Sequence, residues 1–289
     1  MDKKFHPAIA AIKSGDLERL RSLLKEDPSL ATARSSISHP TLLQCLALEA
    51  INVPNKVQMA QVLIDGRADI NGALGAAACI DNVEIVALLL DHGAQINGTG
   101  SWSPLEEALY WNNQGVIKLL LERGARVDNL RKAAALGRTD LMEWFFDSDG
   151  SLKPDAGKID WPFGELAKSN HSSPIRDELT SKAAQWKDDP QEIINNAFVY
   201  ACMHNQVGAA SLLLEKGAQI NDIPPGFDFS GTGLHYAAHN GHREMVEFLI
   251  DYGAQVDIKD TKVHSTPAGW AEHGGHKEIK EYLEQVVDG

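Results

Sequence analysis

Three cysteines in 289 residues, Cys45, Cys79 and Cys202, are too few and too far apart for a disulfide scaffold. Their odd number and apolar helical surroundings predict reduced, buried thiols in a cytosolic compartment. Basic residues are also scarce: 27 Lys and Arg face 40 Asp and Glu, a formal charge of −13. That balance argues against a nucleic-acid binder that tracks phosphates, and against adhesion to an anionic membrane. Basic, apolar or small partners are the expectation. No stretch approaches the ~18 uncharged apolar residues that a membrane-spanning helix needs. The opening MDKKFHPAIAAIKSGDLERL reaches Gly15, Asp16, Glu18 and Arg19 before any long apolar run, so it lacks the core of an export signal. Motifs for nucleophilic, phosphate or zinc chemistry are missing too: there is no GxSxG, no P-loop, no paired CxxC and no HExxH. The expectation is a soluble, cytoplasmic chain with neither cofactor nor metal. What remains is 43% hydrophobic and 23% charged, ordinary globular usage that supports a buried core.

The chain repeats itself. Four segments align without gaps: EIVALLLDHGAQIN ending at Asn97, VIKLLLERGARVD ending at Asp128, AASLLLEKGAQIN ending at Asn221 and EMVEFLIDYGAQVD ending at Asp257. In the first, Ile85, Val86, Leu88, Leu89 and Leu90 form a stripe at helical spacing, and Gly93 falls where a C-terminal cap needs a left-handed residue. Gly124, Gly217 and Gly253 occupy the same place. Upstream of each lies a shorter, alanine-rich helix, clearest in GTGLHYAAHNGH, where Ala237 and Ala238 permit close approach of a neighbour.

Helix, turn, helix and hairpin finger form one unit, and this pattern resembles the ankyrin repeat, whose consensus holds TPLHxAAxxGH and then xxVVxxLLxxGADVN. Thr232, Leu234, His235, Ala237, Ala238, Gly241 and His242 reproduce the first motif, with Gly233 in place of its proline. The terminal unit keeps Thr266, Pro267, Ala271, Gly275 and His276 but has Gly269 for the histidine and Glu272 for the second alanine, as a capping unit tolerates. The resemblance implies an all-α solenoid of helix-turn-helix units with short hairpin fingers. Eight units are read, at about 6–38, 40–71, 72–97, 103–128, 129–147, 190–221, 229–257 and 264–289. Residues 1–147 are thus expected to hold repeats 1–5, residues 148–189 a non-repeat insertion, and residues 190–289 repeats 6–8. Within the insertion, Ile175, Leu179, Ala183 and Trp186 recur at helical spacing behind Ser173 and Pro174, which predicts a helix over Pro174–Trp186. Ile159, Trp161, Phe163 and Leu166 read as a packing cluster. The insertion serves as a spacer, a lid or a second contact; residue types do not choose among these.

In such arrays the two residues after the alanine pair project toward the concave groove. Here they include Tyr110 and Trp111, Met203 and His204, His239 and Asn240, and His273, and with Trp102 and Phe229 they form the candidate binding set. His239 and His273 lie 34 residues apart, at equivalent positions of consecutive units, and His204 extends the row. His235, His242 and His276 sit at motif positions and are expected to be structural. His235 and His239 are four apart on one helix, but two histidines without a third ligand do not specify zinc. The resemblance implies a non-catalytic module that recognises a protein or peptide on its groove. Two alternatives stay open: a cryptic enzyme or small-molecule binder that uses His239, His273 and His204 for acid–base chemistry, and a cytosolic inhibitor or immunity-type protein that blocks a basic partner.

Overall fold

The computed structural model describes residues 2–35, 41–50, 52–100, 102–158, 188–227 and 231–288. The helix expected over Pro174–Trp186, the cluster of Ile159, Trp161, Phe163 and Leu166, and Phe229 lie outside them. Sixteen α-helices form among the described residues, in eight consecutive pairs, one pair for each segment read as a repeat. The chain divides into two compact units, Met1–Arg126 and Val127–Gly289. In the first, inner helices α1 (His6–Ser14), α3 (Leu42–Glu49), α5 (Ile70–Ala78) and α7 (Pro104–Tyr110) alternate with outer helices α2 (Leu17–Glu26), α4 (Lys56–Asp65), α6 (Val83–Asp91) and α8 (Gln114–Glu122). In the second, α9 (Leu130–Ala135), α11 (Pro190–Met203), α13 (Gly233–His239) and α15 (Pro267–His273) alternate with α10 (Thr139–Met142), α12 (Val207–Glu215), α14 (Arg243–Asp251) and α16 (Lys277–Asp288). Within each unit, inner helices pack on successive inner helices. Each outer helix turns its leucines inward, as Leu89 and Leu120 do in the first unit and Leu213 and Leu249 in the second, all fully buried.

Three of the inner helices, α3, α7 and α13, start on a repeated device. A hydroxyl at the N-cap accepts the backbone N–H three residues on, and that third residue's side chain accepts the N-cap N–H in return. Thr41 with Gln44, Ser103 with Glu106 and Thr232 with His235 all close this capping box. Four outer helices, α6, α8, α12 and α14, stop on a glycine. Gly93, Gly124, Gly217 and Gly253 have φ of 86°, 87°, 94° and 88°, the left-handed cap that the spacing predicts. Nothing lies within 4 Å of where a Cβ would stand at Gly253, so a side chain there costs backbone strain and no clash. Gly253→Val is therefore expected to destabilise the second unit by roughly 1–2 kcal/mol. Gly253→Asn should recover most of that loss, because Asn112 and Asn205 already adopt positive φ at turns of this chain. Equal urea midpoints for Gly253→Val and the parent protein would contradict this account of the cap.

Within each unit, two rows of polar side chains tie neighbouring repeats together. At the start of the outer helices, Asn55 donates to the Gly15 carbonyl at 3.1 Å, Asn82 to Ala47 at 3.1 Å and Asn113 to Ala78 at 2.6 Å. His242 Nε2 bonds the Met203 carbonyl in the same way, at 2.8 Å. In the fingers, Asn71, Asn97 and Asn221 accept the backbone N–H of Gln95, Arg126 and Gln255, each at 2.8 Å. These bonds satisfy finger backbone groups that the absence of strand pairing would leave open. One isolated β-bridge, Phe146 to Leu152, is present among the described residues.

That bridge marks the start of the insertion. The outer helix of the fifth repeat is a single turn, α10, followed by a 3-10 turn over Glu143–Phe145. The chain then folds back: Asp147 N–H donates to Ser151 O, Lys153 N–H to Phe145 O, and Leu130 N–H to Ala156 O, at 2.8–2.9 Å. Lys158 Nζ meets Asp188 Oδ1 at 2.7 Å, so the chain leaves and re-enters the array at one place. Accordingly α9 packs directly on α11 although the insertion stands between them in sequence. α11 is buried on every side from Ile193 to Met203, and its two asparagines are paired locally. Asn195 accepts from Gln219 N–H at 2.9 Å and donates to Asp222 at 2.7 Å, and Asn196 donates to the Pro225 carbonyl at 2.8 Å.

Candidate functional site

The expected recognition residues lie at the C-terminal ends of inner helices and in the segments that precede them. In the first unit, Trp102, Tyr110 and Trp111 come together around one carboxylate. Glu107 lies one turn before Trp111 on α7, and its Oε2 accepts the Trp102 indole N–H at 2.5 Å while Oε1 accepts the Trp111 indole N–H at 2.9 Å. Tyr110 stands edge-on to both indoles, at 6.1 Å and 70° from Trp102 and at 5.0 Å and 80° from Trp111. Trp111 is 42% exposed and Tyr110 only 8%. Trp111 thus lies at the surface, whereas the Tyr110 ring is packed between its aromatic neighbours and, contrary to the spacing rule, is not exposed. Cys79, at the C-cap of α5, completes the cluster. Burial, then the charge of Glu107 and its hydrogen bond to the thiol, push Cys79 up to about 12, so it stays protonated and unreactive at neutral pH. Cys45 beside Glu49 is likewise pushed up, to about 11, first by burial.

In the second unit the row is built differently. His239 and His273 stack with ring centroids 5.5 Å apart, as their 34-residue spacing predicts. His239 Nδ1 lies 3.4 Å from the Trp270 carbonyl; burial, with the nearby His273 and His276, lowers its pKa, and the bond to Trp270 opposes them. His273 is exposed, and His204 forms the partly buried C-cap of α11. Met203 and Asn240 require correction. The Met203 side chain is 4% exposed because α11 is surrounded, and its carbonyl is the functional group, accepting Asn240 Nδ2 at 3.0 Å beside His242. Asn240 spends its amide on this tie between repeats.

His235 is wholly buried and its tautomer follows from its partners. Thr232 N–H can only donate, so Nδ1 at 3.1 Å accepts and Nε2 carries the proton, donating to the Ser265 carbonyl at 3.2 Å. Both nitrogens are occupied, which removes His235 as a metal ligand beside His239. Among the described residues, no group of three His, Cys, Asp or Glu stands together as a metal site. Two carboxylates have roles that sequence reasoning missed. One is Glu107, legible only as an i, i+4 partner of Trp111. The other is Asp260, buried at 1% exposure, whose Oδ1 accepts Lys262 and Val263 N–H and whose Oδ2 accepts Ser265 N–H and the Trp270 indole N–H, all at 2.7–3.0 Å. Trp270 in turn packs on His235, Tyr236 and His239 at 5.1–5.9 Å.

Stacked helix pairs, capping boxes on three inner helices and asparagine-tied fingers define a helical-repeat array. The chain belongs to the ankyrin repeat family: a family model described as ankyrin repeats (3 copies) matches residues 45–131, 165–260 and 223–286. It is 31% identical over 214 residues, 69% of its length, to Ankyrin repeat and KH domain-containing protein mask-1 of Caenorhabditis elegans. It is 27% identical over 197 residues, 63% of its length, to Ankyrin repeat and KH domain-containing protein CBG24701 of Caenorhabditis briggsae. The chain spans 8% and 7% of those two relatives. Ankyrin arrays are protein-interaction modules. Among the described residues, no helix is long and apolar enough to cross a membrane.

Proposed function

We propose that this chain is a non-catalytic binding module that takes a protein or peptide partner on its inner-helix and finger face, in the cytoplasm. The observation that carries this reading is the exposed indole of Trp111, held in place by Glu107 at the position where the family's repeats vary. A large aromatic group fixed before binding loses little entropy on contact, which is the character of an energetic anchor. The charge of −13 favours a partner whose contact surface is basic. Should the module act as an inhibitor of such a partner, association will slow markedly as ionic strength rises.

A photo-reactive phenylalanine derivative placed at position 111 should give a discrete adduct in lysate of the native host. The same group at position 252, where Tyr252 is 56% exposed at the far end of an outer helix, should not. Equal adduct patterns from the two positions would refute recognition through this face.

A further inference from the structure

We propose that a groove between outer helices of the second unit receives a short basic helix of a protein partner. The groove follows from one truncated element. Seven of the eight outer helices run for nine to twelve residues, whereas α10 stops after four, at Met142, and continues as the 3-10 turn over Glu143–Phe145. What α10 leaves uncovered is an open depression of about 480 Å³, with Asp140 and Glu143 on one side and Gly208, Ser211, Leu212 and Glu215 on the other. The second set recurs at i, i+3, i+4 and i+7 of α12, which is one continuous helical face. Helices pack on one another along such rows, and small residues let their axes come close. Nothing lies within 4 Å of where a Cβ would stand at Gly208, so this part of the face is open. A partner helix would fill the place of the turns that α10 lacks. Charge then selects which helix. Every charged residue on the groove wall is acidic. Asp140 is held by Arg138 and Glu143 reaches Lys216 at 3.4 Å, but Glu215, exposed at the end of α12, forms no ion pair among the described residues. With a chain charge of −13, a second copy is repelled and a lysine- or arginine-bearing helix is attracted. Trp144, the neighbour of Glu143 in the 3-10 turn, is 75% exposed, and a tryptophan this open is the kind of residue a partner covers. This surface uses neither Trp111 nor the inner helices, so its test stands apart from the adduct experiment above.

The test uses the full-length protein and three labelled peptides of equal length: a stapled alanine helix with a leucine and two lysines on one face, the same helix with glutamates for the lysines, and the unstapled lysine sequence broken by a central proline. Binding is read by fluorescence anisotropy and by the backbone amide resonances of Gly208, Ser211 and Glu215. The basic helix should bind at least about tenfold tighter than the other two and should move those three resonances. Gly208→Leu fills the open part of the face with a better helix former, so it should keep or raise the melting temperature while weakening the basic helix at least about tenfold. Glu215→Lys should weaken it about fivefold or more and leave the melting curve unchanged. Equal binding of the basic and acidic helices, full affinity in Gly208→Leu, or no binding of the basic helix would overturn the proposal. So would a parent dimer in sedimentation that Gly208→Leu makes monomeric, which would give the groove to a second copy. A photo-reactive group at position 211 that joins only to residues 159–187 of its own chain would give it to the insertion, with the same consequence.

Discussion

At pH 5 the second unit is expected to be roughly 2 kcal/mol less stable than at pH 7, mainly through one buried imidazole. His235 is 0% exposed, and its pKa is lowered from 6.5 to about 4 by burial, only partly opposed by its bond to Ser265 and the charge of Asp260. Below pH 6.5 the unfolded chain takes up a proton here, and the folded chain does not until about pH 4. The unfolded state therefore binds more protons across that window, and stability falls as pH falls through it. Protonation would also place a donor on Nδ1, opposite the Thr232 N–H that it now accepts. His239 and His242, both shifted downward by burial first, add to the loss in the same direction. The protein contains its own control for this effect. Gln44 closes the equivalent capping box on Thr41 and donates to the Gly72 carbonyl of the next repeat at 3.3 Å, as His235 donates to Ser265. His235→Gln should keep both bonds and remove the titration, so its loss of urea stability between pH 7 and pH 5 should be smaller by about 2 kcal/mol. An unchanged loss in that variant would show that His235 is not the acid-sensitive group.

The pair of motifs that carry the backbone conformation was the most legible part of this chain. A glycine at the end of an apolar stripe can do little but adopt positive φ, and Gly93, Gly124, Gly217 and Gly253 all do so. One capping box, at Thr232 and His235, falls on residues that match the consensus. The device was hidden where Thr41–Gln44 and Ser103–Glu106 perform the same bonding with other side chains. Side-chain direction at the helix ends was harder to read, because a position in a repeat specifies where a Cα lies and leaves open what surrounds it. Met203 follows the alanine pair as Trp111 nearly does, yet α11 is enclosed along its length and Met203 with it. The insertion's effect on the array was equally opaque. Its length suggests separation of two half-arrays, whereas the Lys158–Asp188 ion pair and the Phe146–Leu152 bridge return the chain to its point of departure and leave α9 against α11. Long loops are thermodynamically cheap when their ends are already close. The roles of Glu107 and Asp260 escaped notice for a related reason: a carboxylate declares its role through its donors, and those come from indoles and loop amides that no spacing rule places.

Asp260→Asn is expected to destabilise the last two repeats by about 3 kcal/mol at neutral pH, more than any surface substitution in the chain. The carboxylate accepts four N–H groups, two on each oxygen, and has no donor to offer. Asparagine has the same shape but one of its two ends is an NH2 group, so in either orientation two donors face another donor. The native charge is well matched to this site. Burial alone would raise the pKa of Asp260, but hydrogen bonds from Trp270 and from the backbone of Val263, Lys262 and Ser265 outweigh it and hold the group at about 2, below its ordinary 3.8. Its contribution is complete above pH 4 and is lost as pH falls through 4 toward 2, which separates it from the His235 window at higher pH. Removing one donor with Trp270→Phe should cost less, about 1 kcal/mol in hydrogen bonding, because the carboxylate keeps three others. The double variant should fall short of the sum of the two, since both changes break the same bond. The consequence reaches the proposed recognition face: Trp270 supports His239 at 5.9 Å, and His239 supports His273. With Asp260→Asn, the His239 and His273 ring resonances should broaden or shift at temperatures where the remaining repeats are still folded. A variant with unchanged urea midpoint and unchanged histidine resonances would mean that the loop after α14 is held by something other than this carboxylate.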